Sequence, residues 1–133
     1  MGGRRNRLVA TLAVVSIGGL SSWWAPSAES TGGGCHGLPI TIRGTVGDDV
    51  IYGTEGDDVI YPRGGNDEVH GLGGNDMICG HPGNDLIDGG PGDDTLHGEQ
   101  DNDRLIGGDG NDTCLGGEGT DTAETCENVQ EVP

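Results

Sequence analysis

Gly71-Leu72-Gly73-Gly74-Asn75-Asp76-Met77-Ile78-Cys79 runs without a gap into Gly80-His81-Pro82-Gly83-Asn84-Asp85-Leu86-Ile87-Asp88. Both segments have glycine at the first and fourth places, asparagine then aspartate at the fifth and sixth, and isoleucine at the eighth. Followed outward in both directions, the same period spans Gly44 to Glu124 as nine units of nine residues with no insertion. The sixth place is aspartate in every unit: Asp49, Asp58, Asp67, Asp76, Asp85, Asp94, Asp103, Asp112 and Asp121. The first place is glycine except at Pro62, the fourth except at Asp101, and the fifth is Asp or Asn except at Thr120. The eighth place holds Ile51, Ile60, Val69, Ile78, Ile87, Leu96, Leu105, Cys114 and Ala123. An unbroken column of aspartates in strict register is not a product of composition.

These columns predict structure. Gly, Asn and Asp tolerate positive φ, so places one to five read as a tight turn. Places seven to nine read as a three-residue strand with only its middle residue facing inward. One unit reverses the chain and two complete a coil, so strands 18 residues apart stack in parallel about 4.8 Å from one another. The expected fold is all-β: a parallel β-roll, or β-solenoid, with odd units in one wall, even units in the other and a thin apolar seam between them. The expected organisation is an export signal at 1–28, a linker and N-terminal cap at 29–43, the roll at 44–124 and a C-terminal cap at 125–133.

In such a roll Asp49, Asp67, Asp85, Asp103 and Asp121 line one edge, and Asp58, Asp76, Asp94 and Asp112 the other. Neighbouring carboxylates then lie about one strand spacing apart, and a calcium ion with ligands at about 2.3–2.6 Å reaches two of them. Carbonyls of the open glycine turns complete the shell, whereas magnesium prefers a rigid octahedron and keeps its water. Four intervals on one edge and three on the other allow up to about 7 calcium ions.

The units resemble the nonapeptide G-G-x-G-x-D-x-U-x of RTX (haemolysin-type) calcium-binding repeats. Gly71 to Ile78 and Gly107-Gly108-Asp109-Gly110-Asn111-Asp112 carry the likeness, which covers 81 of the 133 residues. The resemblance implies a parallel β-roll with calcium between successive turns, each sixth-place aspartate a ligand, in an exported bacterial protein. Relatives often carry this roll as part of a toxin, protease or lipase. Asp101, and Pro62 with Arg63, depart from the pattern and put the calcium positions beside them in question.

Composition agrees with a fold that has little core. There are 29 glycines and no phenylalanine, and aromatics are 3% of the chain. Glycine is costly to order, and little bulk is buried in return. The six basic residues are arginines, three of them within the first seven positions. Arg4, Arg5 and Arg7, the apolar run Leu8–Leu20 and the small residues near Ala25–Ala28 read as a cleaved signal peptide, hence a secreted, extracellular chain. Without that leader, Arg43, Arg63 and Arg104 face all 23 acidic residues, a net charge of −20. Such a chain repels nucleic acid and anionic membrane and calls for a cationic partner. With so thin a seam, calcium is expected to be needed for folding.

Four cysteines in an exported chain suggest two disulfides. Cys114 with Cys126 is favoured by closeness in sequence and pins the tail over the end of the stack, leaving Cys35 with Cys79. No C-x-x-C pair suggests zinc. His36, His70, His81 and His97 are expected to be ordinary solvated residues, with His70 and His97 on opposite walls. Catalysis is not expected: carboxylate pairs such as Asp57-Asp58 recur in register where an active site is singular, and no Ser-His-Asp or Cys-His constellation stands out. The alternatives are a cell-surface adhesin or matrix component made rigid by calcium and, less favoured, a calcium-dependent enzyme or a fragment of one. The protein or cell-surface partner is not legible in the residues.

Overall fold

The computed structural model describes residues 6–9, by backbone alone, and 35–130. In chain order the elements are β1 (Asn6–Val9), a single 3-10 turn (Cys35–Gly37), β2 (Ile42–Arg43), β3 (Asp49–Tyr52), β4 (Val59–Tyr61), β5 (Glu68–His70), β6 (Met77–Pro82), β7 (Leu86–Pro91), β8 (Thr95–Gln100), β9 (Arg104–Asp109), β10 (Thr113–Glu118), β11 (Thr122–Glu124) and β12 (Asn128–Gln130). They form two parallel sheets, ordered β1-β3-β5-β7-β9-β11 and β12-β10-β8-β6-β4-β2. The fold is the expected β-solenoid: successive units alternate between the walls and partners lie 18 residues apart, as in Val69 opposite Ile87 and Ile78 opposite Leu96. The leader reading falls outside the described residues, save for β1, which pairs in parallel with β3.

The seam lies where the eighth places point. Ile51, Ile60, Val69, Ile78, Ile87, Leu96, Leu105 and Cys114 are fully buried as one cluster. Each aliphatic member contributes about 1.5–3 kcal/mol by leaving water. Ala123, in the last odd-wall strand among the described residues, is only partly buried.

Two local expectations need correction. From β6 to β10 the strands are six residues long, not three, because they continue through places one to three of the next unit. Burial alternates accordingly, and both the eighth residue and the following first-place residue face inward. The first-place glycine has no side chain to clash, so the ladder runs on through it, as in Gly71 N–H to the Asp88 carbonyl at 2.7 Å. The turn proper therefore shrinks to places four to six. Within the nine units positive φ is likewise confined to the second and fourth places of units three to nine, for example Leu72 at 77° and Gly74 at 102°.

The ends are closed by short strands outside the repeats. β2 pairs with β4 and β12 with β10. β12 arrives early: Asn128 stands opposite Thr113, only 15 residues on, so Thr125-Cys126-Glu127 replace the six residues that fill places one to six of a full unit. The disulfides are Cys35–Cys79 and Cys114–Cys126, and no described cysteine is free. The second fastens this shortened turn to the seam.

Candidate metal centre

Each edge of the roll is built by two side-chain ladders. A parallel strand pair loses its regular bonding where the chain bends into a turn, and the fifth- and sixth-place residues supply the missing partners. At the sixth place, each aspartate turns back toward the preceding coil and its Oδ1 accepts from the main-chain N–H of the aspartate 18 residues earlier. Asp67 accepts from Asp49 N–H at 2.7 Å, Asp76 from Asp58 at 2.8 Å, and Asp85, Asp94, Asp103, Asp112 and Asp121 repeat the contact. Two files result, one on each edge, holding the residues expected for each. At the fifth place the ladder runs the other way: Asn66 N–H donates to Asp48 Oδ1, Asn84 N–H to Asn66 Oδ1 and Asn102 N–H to Asn84 Oδ1. Asp57, Asn75, Asp93 and Asn111 form the matching ladder on the other edge. The fifth place is thus Asp or Asn because its carbonyl-type oxygen caps the next coil, not because it needs positive φ.

With Oδ1 committed, the second oxygen decides the chemistry. Oδ2 of Asp67, Asp76, Asp85, Asp94, Asp103, Asp112 and Asp121 is buried without a hydrogen-bond partner. Buried carboxylate oxygens left unpaired are costly and rare. Oδ2 of Asp76, Asp85, Asp94, Asp103 and Asp112 each points at the first-place glycine of its own unit, whereas the unit of Asp67 has Pro62 at that place. A Cβ on Gly80 would lie 2.6 Å from Asp85 Oδ2 and 2.9 Å from the Gly98 carbonyl oxygen of the next coil. Gly71, Gly89 and Gly98 face the same two kinds of oxygen. The cradle therefore joins one carboxylate oxygen to a main-chain carbonyl of the next coil, whereas the residue pattern suggested two neighbouring carboxylates with turn carbonyls completing the shell.

Burial raises the pKa of these groups, since a charge is penalised away from water. It pushes Asp67 and Asp94 up to about 6, Asp76 and Asp103 to about 7 and Asp85 to about 8, and it raises Asp112. The bond from the preceding coil's N–H opposes this, and neighbouring carboxylates add to it. A cation held among oxygen ligands reverses that balance.

The first two units differ. Thr45 donates to Asp49 Oδ2 from its N–H at 2.6 Å and from its hydroxyl at 2.9 Å. Thr54 does the same for Asp58, at 2.7 and 2.8 Å. The Thr41 hydroxyl bonds the other oxygen of Asp58 at 3.0 Å. Neither turn has positive φ at its second or fourth place. Asp49 and Asp58 are thus fully partnered by the protein, and the signal was visible: Gly-Thr-x-Gly opens only these two units. At the far end Glu127 Oε2 accepts from Asp112 N–H at 2.7 Å and takes the role of a sixth-place aspartate. Its longer side chain spans the shortened turn.

The departures resolve locally. Arg63 adopts φ 93° at a second place and Asp101 φ 75° at a fourth, so both keep the turn that glycine takes elsewhere.

A model of the RTX calcium-binding nonapeptide repeat matches residues 41–69, 63–87 and 88–123, more than half of the chain. The chain belongs to the RTX calcium-binding nonapeptide repeat family. No curated protein and no solved structure matches it. RTX repeats bind calcium, and the donor set of this RTX chain fits that ion: hard oxygen atoms only, carboxylate and carbonyl, from consecutive coils. The histidines do not join these files. His36 meets His97 and His81 meets Glu99, while His70 stacks on Tyr52 with ring centroids 5.1 Å apart. The expectation that all four are merely solvated fails, because the Cys35–Cys79 bridge carries His36 onto the even wall.

Proposed function

We propose that this RTX chain is an exported calcium-binding module that completes its folding when calcium enters the roll, and that it acts as a structural or interaction protein rather than as a catalyst. The observation that carries the reading is the file of buried Oδ2 atoms without partners in units three to nine. Asp67, Asp76, Asp85, Asp94, Asp103, Asp112 and Asp121 would hold the ions through Oδ2, together with first-place carbonyls of the neighbouring coil. Bound calcium neutralises the carboxylates and satisfies oxygens that water cannot reach. The chain's own residues do the rest: the fifth-place ladders fix the turns, the Oδ1 bonds orient each carboxylate and the glycines leave the space. Units one and two serve as a calcium-independent cap, because Thr41, Thr45 and Thr54 already satisfy Asp49 and Asp58.

Export is supported by the basic-then-apolar start of the chain and by the two disulfides, which suit an oxidising compartment. The absence of catalysis is supported by repetition, since every acidic pair at an edge recurs in register. Far-UV circular dichroism during a calcium titration, with magnesium as control, tests the reading. A cooperative gain of β-signal with calcium alone is expected, with bound ions counted by calorimetry on the same sample. Full β-structure in calcium-free buffer at neutral pH, unchanged by calcium, would overturn the folding role.

A further inference from the structure

The outer face of the even wall carries a second donor cluster of a different chemical kind. β6 and β8 lie side by side there, with Cys79 opposite His97 and His81 opposite Glu99. The Cys35–Cys79 disulfide clamps the Cys35–Gly37 turn onto this block. His36, at the centre of that turn, adopts the left-handed conformation, φ 51° and ψ 32°. That conformation is uncommon outside glycine, although histidine adopts it more readily than most residues. Its Nε2 lies 3.2 Å from His97 Nδ1, with ring centroids 4.1 Å apart. Ligand atoms of His36, Glu99 and Cys79 all fall within 4.8 Å of one another, and the Cys79 sulfur is already spent in the disulfide. His81 Nδ1 is 3.3 Å from Glu99 Oε2 and steadies that carboxylate.

We propose that His36, His97 and Glu99 form a binding site for a divalent transition-metal ion of the zinc type, separate from the oxygen-only calcium files. Zinc binds imidazole nitrogen at about 2.0–2.1 Å, so two nitrogens 3.2 Å apart are close enough to reach one ion. Calcium and magnesium select hard oxygen donors, whereas imidazole suits zinc, copper and nickel. Glu99, whose carboxylate lies within 4.8 Å of a His36 nitrogen, supplies an oxygen ligand, and the His81–Glu99 contact matches the outer-shell partner that fixes a ligand's orientation. The disulfide is part of the site, because it ties Cys35, the neighbour of His36, to Cys79 of β6. The surrounding acidic surface raises the local concentration of any divalent cation. No sixth-place aspartate belongs to this cluster, so the site does not depend on which aspartates hold calcium.

Calorimetric titration of zinc into the full chain in saturating calcium tests the proposal, with cobalt(II) visible absorption as the reporter of nitrogen ligation. Calcium blocks the oxygen sites, so zinc binding that remains belongs elsewhere. One equivalent of zinc and a cobalt spectrum of tetrahedral nitrogen–oxygen type are expected. His36→Gln and His97→Gln should each weaken zinc at least 100-fold, and His81→Gln by about 10-fold, the range for outer-shell partners. His70→Gln, on the odd wall, should leave binding unchanged. The calcium-induced dichroism of each variant should match the unaltered chain, which separates loss of the site from loss of the fold. Absence of zinc binding by the unaltered chain, a cobalt spectrum of octahedral all-oxygen type, or binding that survives both His36→Gln and His97→Gln would overturn the proposal. The first outcome would leave the 3.2 Å contact as a plain hydrogen bond between the two rings.

Discussion

Asp58 and Asp76 stand one coil apart in the same file, yet their carboxylates meet different partners. Thr54 and Thr41 bond both oxygens of Asp58, whereas Oδ2 of Asp76 is buried and unpaired. Asp76→Asn should therefore weaken calcium binding about tenfold or more, and Asp58→Asn by no more than about twofold, a difference of about 1 kcal/mol that calorimetry resolves. Protons compete for the same oxygens. The folded, calcium-free chain holds protons on these buried carboxyls up to about pH 8 at Asp85, while the ordinary value is 3.8. Between those limits the folded state binds more protons than the unfolded one, so its stability falls as pH rises. Calcium-free samples should show more β-signal at pH 5 than at pH 8, and the calcium midpoint should be higher at pH 5 than at pH 8. Dichroism at the two pH values, with and without calcium, checks both signs. The column of aspartates was plain in the residues, and the Gly-Thr-x-Gly openings marked the two partnered members. Which oxygen each hydroxyl meets follows from turn geometry.

At the scale of the element, the turn explains why the fourth place is glycine. Gly92 has φ 138°, and a Cβ there would collide with the Gly74 carbonyl of the preceding coil. Gly92→Ala should destabilise the calcium-loaded roll by more than about 1 kcal/mol, since alanine is strained at positive φ and has no room. Gly47 holds the same place in unit one, without positive φ and with nothing within 4 Å of its Cβ. Gly47→Ala should stay within about 0.5 kcal/mol of the unaltered chain in thermal or urea unfolding. A period of nine with one apolar place gives the wall and the inward residue of each strand. It does not give strand length, because a first-place glycine reads as turn in isolation. Only the neighbouring coil's ladder turns Gly80, Gly89, Gly98 and Gly107 into strand residues.

Across the whole molecule, the seam is one side chain wide, so the ends matter in proportion. Cys35–Cys79 spans 44 positions and Cys114–Cys126 spans 12. Loop-closure entropy assigns about 4 kcal/mol to the first and about 3 kcal/mol to the second. Replacing Cys35 and Cys79 by serine should lower the melting temperature of the calcium-loaded chain more than replacing Cys114 and Cys126. It should also abolish the zinc response, because it releases His36, while the second pair of replacements should spare that response.

The residues by themselves determined the period, the two walls, the 18-residue register, the seam and the calcium-binding character. All of these follow from spacing and donor chemistry, which are local properties repeated along the chain. Tertiary structure alone decided how Glu127 stands in for a missing turn and how His36 comes to lie on His97. Those outcomes depend on contacts between segments with no repeat relation, set by a disulfide and a shortened turn. A periodic pattern carries no information about where its own ends fold back.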